Sequence, residues 1–68
     1  MLTVNGAVTI EQFALLEAFG EGTHIELSKV TLSNLGIIEA SQEGIINIGL
    51  NGDTTNWGKF DAFNDGFI

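Results

Sequence analysis

The residues able to carry chemistry in this 68-residue chain are few, and they do not fall into working sets. His24 is the single histidine, and cysteine is absent, so neither a multi-histidine site nor a thiolate ligand can be assembled. Ser28 and Ser33 could in principle join His24 in a Ser-His-Asp arrangement, but no nucleophile elbow accompanies them. Beside Ile25, His24 reads as a strand-edge or surface residue. Glu26 and Glu39 would form a carboxylate pair only if adjacent strands aligned them, and so short a chain leaves little room for a substrate cavity. Asp61-Ala62-Phe63-Asn64-Asp65-Gly66 has the acids and glycine of an EF-hand start, but Phe63 fills the third ligand position and no Glu follows at the twelfth. Asn51–Asn56 lacks the required turn glycine, and none of the nine glycines forms a phosphate-cradling motif. The sequence therefore predicts no catalytic residue, no metal site and no cofactor.

Charge excludes further classes. Nine acids face only Lys29 and Lys59, giving a net charge of −7. A phosphate backbone is bound by Lys and Arg that displace its counterions, so direct nucleic-acid binding is not expected, nor is an anionic membrane surface. The acids are spaced along the chain and read as a solubilising surface. Apolar residues make up 44% and charged residues 16%, which argues against disorder and leaves little polar surface for a small body. An exposed apolar patch, the usual mark of an interface, follows. No apolar run has membrane-spanning length, and no signal-peptide pattern is visible at the N-terminus.

The elements that would position these residues make one α+β domain over 1–68. Leu2–Val8 reads as a strand, an Asn5-Gly6 turn and a return. Thr9–Phe19 reads as a helix: Thr9 and Gln12 have capping-box spacing, Val8 and Phe13 staple spacing, and Gly20 follows as a stop. That helix would be apolar nearly all round, requiring burial on more than one side. From His24 to Leu50 the pattern is an antiparallel β-meander. A β-bulge suits Ser28-Lys29, where the apolar alternation changes phase, and glycines recur at 36, 44 and 52. The alternative is winged-helix-like, with Ser28–Leu35 as a second helix. Trp57, Phe60, Phe63 and Phe67 then make 57–68 an aromatic docking tail.

The opening Leu2-Thr3-Val4-Asn5-Gly6-Ala7-Val8 resembles leader strands of bacteriophage fibre and tail-attachment proteins. The Gly-Ile-Ile meander and Asn56-Trp57-Gly58-Lys59-Phe60 are similar to small phage trimerisation modules. The resemblance implies a homo-oligomeric virion or assembly component and assigns no functional residue. The expected function is that of a non-catalytic structural or protein-interaction module, self-associating or docking on a larger protein. Its expected contacts are Phe13, Leu16, Phe19, Trp57, Phe60, Phe63 and Phe67. The alternative is an acidic inhibitor that covers a basic nucleic-acid-binding surface. A winged-helix regulator is a third reading, disfavoured by the shortage of bases.

Overall fold

A computed structural model describes residues 1–68 and contains only strands: β1 (Leu2–Ile10), β2 (Leu15–Phe19), β3 (His24–Asn34), β4 (Ile37–Ser41), β5 (Ile45–Leu50), β6 (Thr55–Asn56) and β7 (Lys59–Phe63). Every pairing between them is parallel. One sheet holds β1, β3 and β5 in that order, with β6 also on β3; the other holds β2, β4 and β7. The chain alternates between the two sheets, so it winds as a three-coil parallel β-solenoid.

This architecture overturns the α+β expectation. There is no helix over Thr9–Phe19, no antiparallel meander and no winged helix, since Ser28–Asn34 lies within β3. The apolar residues that surround a helical wheel at 10–19 belong instead to the end of β1, a corner and β2. Glu11–Ala14 makes a single tight turn, the Ala14 amide donating to the Glu11 carbonyl at 3.0 Å, and Phe13 takes a left-handed φ of 72°. Stacking against the next coil decides the outcome over local helix signals: Leu15–Phe19 pairs residue by residue with Ile37–Ser41. Asn5-Gly6 is likewise no hairpin. β1 runs straight through it with a register shift between Val4 and Gly6. The expected irregularity at Ser28-Lys29 is present: register shifts between Leu27 and Val30, and Lys29 has φ 56°.

The coil repeat is 22 residues in the second sheet. Leu15, Ile37 and Lys59 form one column, followed by Leu16/Ile38/Phe60, Glu17/Glu39/Asp61, Ala18/Ala40/Ala62 and Phe19/Ser41/Phe63. The two sheets pack face to face over a core of Ala18, Ile38 and Ala40 against Ile25, Leu27, Val30, Leu32 and Ile46. Most of these buried side chains belong to the middle coil, which is covered above and below.

Two corners explain the glycines. A Cβ on Gly36 would run into the Ala14 carbonyl oxygen, and one on Gly58 into that of Gly36. At the other corner Gly44 lies against the Ala18 carbonyl and Gly66 against that of Ala40. Here the coils approach too closely for any side chain. The first corner is also held by stacked asparagines. Asn34, fully buried, donates from Nδ2 to Asn56 Oδ1 at 2.9 Å and accepts from the Gly36 amide at 3.1 Å. Asn56 Oδ1 accepts in turn from Gly58 at 3.2 Å.

Candidate functional site: uncovered apolar faces and an open coil end

The residues expected to contact a partner are brought to four places, not one. Phe13, Leu35 and Trp57 precede Ala14, Gly36 and Gly58 at the same corner of successive coils. Phe13 is 95% exposed and Trp57 79%. Beside them lies an open groove of about 350 Å³ lined by Gln12, Phe13, Leu35, Gly36, Ile37, Gly58 and Lys59. Phe19 and Phe63 stand in a second column, on either side of Ser41 in register. Ser41 is buried, and Phe19 remains 61% exposed. Leu16 and Phe60 occupy the inward column around buried Ile38, one in the first coil and one in the last. Phe67 makes an isolated bridge to Ile45 at a fourth place, where a fourth coil begins.

Sequence reading missed Leu15, Leu35 and Ile37, all exposed on the same side as the groove or the outer face of β2 and β4. The signal that finds them is the 22-residue recurrence Leu-Leu-Glu-Ala, Ile-Ile-Glu-Ala, Lys-Phe-Asp-Ala, each followed by an acid-Gly turn. The eight-residue glycine spacing at 36, 44 and 52 is coincidental, because Gly36 and Gly44 sit at different corners.

The two ends of the solenoid expose inward positions and strand edges. At the last coil Phe60 is 40% exposed although its register neighbour Ile38 is fully buried. Leu50 is exposed beside buried Val30 for the same reason. β7 pairs with β4 alone, so its other edge carries unpaired backbone donors and acceptors.

The polar residues fall into different groupings from those the sequence suggested. Glu26 and Glu39 are in different sheets and form no pair. His24 Nε2 lies 3.3 Å from Glu26 Oε1 and from the Asn47 amide nitrogen, a partly exposed surface group with no hydroxyl or thiol attached. Ser28 and Ser33 make no hydrogen bond to it. Asp61 belongs to β7 and Asn64-Asp65 to the turn after it, and no three acidic or histidine side chains converge as a metal site. The acids, although evenly spaced in sequence, are stacked in space. Glu17, Glu39 and Asp61 form one column, and Glu21, Glu43 and Asp65 occupy equivalent turn positions. The hydrogen bond to the Glu17 carboxyl, some desolvation, and the neighbouring charges of Glu17 and Asp61 hold the Glu39 carboxyl above its ordinary range. Lys59 opposes that shift and lies 3.5 Å from Asp61.

No helix is long and apolar enough to cross a membrane. Comparison with protein-family models, with curated proteins and with solved structures returned no match.

Proposed function

We propose that this chain is a non-catalytic assembly module that associates with protein chains, copies of itself included, through its uncovered apolar faces. The observation that carries the reading is the imbalance between core and surface. Eight apolar residues are buried, while thirteen large ones, including Phe13, Phe19, Trp57, Phe60, Phe63 and Phe67, remain exposed. Aromatic side chains supply much of the binding energy of protein interfaces, and this many exposed aromatic side chains on so small a domain favour contact with other chains. The resemblance of Leu2–Val8 and Asn56–Phe60 to phage fibre and trimerisation segments supports the same reading, as a virion or assembly component.

The stacking of acids favours a second reading, in which the columns Glu17/Glu39/Asp61 and Glu21/Glu43/Asp65 cover a basic surface on a nucleic-acid-binding protein. Ionic strength separates the two. Light scattering over a concentration series should give masses above that of one chain, with association that survives high salt, because apolar contact is not screened. A single-chain mass at every concentration and salt would remove the self-association reading. Capture of a basic protein partner that fails steeply with added salt would favour the acidic-cover reading.

A further inference from the structure

Independently of that reading, we infer that Asn51-Gly52 is a self-modification site, at which the folded chain converts Asn51 to an isoaspartyl or aspartyl residue with the help of the Thr31 hydroxyl. Two Asn-Gly pairs occur in the chain, Asn5-Gly6 and Asn51-Gly52. In such a pair the glycine nitrogen can attack the side-chain amide of the asparagine, because no Cβ shields it. The two pairs are held differently. Asn5-Gly6 lies inside β1, which pairs with β3 at Val4 and again at Gly6. Asn51-Gly52 follows β5 in an exposed loop, and Gly52 has a φ of 113°. The Gly52 amide makes no hydrogen bond within the chain, and neither does the Asn51 side chain.

The peptide between Asn51 and Gly52 is gripped at its oxygen. Thr31 Oγ1 donates to the Asn51 carbonyl at 2.9 Å, and the Asn51 amide donates to the Val30 carbonyl at 2.8 Å. When the Gly52 nitrogen gives up its proton, the charge is shared with that carbonyl oxygen. A hydroxyl already donating to the oxygen stabilises the anion more than the neutral peptide, and so favours the attacking form. The Gly52 nitrogen then bonds to Asn51 Cγ, the Cγ–Nδ2 bond breaks, and Nδ2 leaves as ammonia with a proton taken from water. Water opens the resulting cyclic imide at either carbonyl, and both products carry one more carboxylate. Opening at the main-chain carbonyl gives the isoaspartyl form, in which the group that Thr31 holds becomes a free carboxylate. The chain then runs to Gly52 through Cγ and is longer by one carbon. The reaction is irreversible and alters the tie between β3 and the loop after β5.

The test is incubation of the full chain in neutral buffer, followed by cleavage after lysine and mass spectrometry. Lys29 and Lys59 are the only lysines, so Asn5 and Asn51 fall in different peptides. Fragmentation locates the mass gained when an amide becomes a carboxyl, and enzymatic methylation of isoaspartyl groups identifies the product. In the folded chain Asn51 should react at least about threefold faster than Asn5, and in denaturant, where the Thr31 contact is gone, at a similar rate. Thr31→Val, checked for an unchanged far-ultraviolet spectrum, should slow the reaction at Asn51 about two- to tenfold, the effect of one hydrogen bond, and Thr31→Ser should restore it. Asn51→Gln should leave that position unmodified. An inert Asn51 in the folded chain, or an Asn5 that reacts as fast, would overturn the site. A rate at Asn51 that is unchanged or higher in Thr31→Val would overturn the role of the hydroxyl, since a contact that only restrains the loop slows the reaction instead.

Discussion

Glu39 shows how a single position feels the coil stack. Its carboxyl stands between those of Glu17 and Asp61, one coil to either side, and its hydrogen bond to Glu17 favours the form that keeps a proton. In the unfolded chain that partner is gone, so the folded pKa lies above the unfolded one. The sign of the linkage follows: the contribution to stability is complete below the unfolded pKa and is lost as pH rises through the raised folded value. The melting temperature should therefore fall as pH climbs through the upper carboxylate range. Glu39→Gln, which donates a hydrogen bond without a charge, should melt higher at neutral pH and lose that part of the pH dependence. Parallel thermal melts across the acidic range check both. An identical slope in the variant would mean that Glu17 and Asp61 do not govern the titration. Sequence shows nine acids evenly spread and gives no hint of this column, because the stacking period is that of a coil, not of any local element.

At the scale of the element, what was legible depended on whether the cause was local. The phase change at Ser28-Lys29 is a property of one strand, and the bulge is where the alternation of Ile25, Leu27, Val30 and Leu32 places it. The stretch 9–19 is the opposite case: Thr9, Gln12 and Gly20 have the spacing of helix caps, yet Gly20 uses its positive φ of 101° in a solenoid turn. Parallel pairing joins residues about 22 apart, beyond the reach of any window that reads caps or hairpins. The recurrence of acid-Gly after β2, β4 and β7 was the available signal, and it identifies one of the corners. Of the corner glycines, Gly44 is required by contact: a methyl group there would run into the Ala18 carbonyl. Gly22, its counterpart in the first coil, has nothing within 4 Å but a φ of 84°. Gly44→Ala should cost about 2–3 kcal/mol through overpacking against backbone. Gly22→Ala should cost about 1 kcal/mol, from the left-handed backbone alone. Urea unfolding of the two variants measures the difference, and equal losses would show that the corner relaxes freely.

For the whole molecule, stability is organised along one axis. Each coil touches only its neighbours, so stability is close to a sum of coil and interface contributions. The central coil has an interface on both sides; the first and third have one. The column Leu16/Ile38/Phe60 samples all three with similar chemistry. Ile38 is fully buried, so Ile38→Ala removes a well-packed side chain and should cost about 2–5 kcal/mol. That is comparable with the entire stability of a domain this size, at roughly 0.05–0.15 kcal/mol per residue. Leu16 is only partly buried, and Leu16→Ala should leave a chain that still folds. Phe60 distinguishes an end that is simply exposed from one that is covered by another copy. If its ring meets only solvent, Phe60→Ala should shift the melting temperature by the same small amount at every protein concentration. If its ring packs against another copy, the wild type should melt higher as concentration rises, by mass action, and Phe60→Ala should abolish that rise. Melts over a hundredfold range of concentration therefore read out whether the exposed inward column is an end of the molecule or the middle of a larger one.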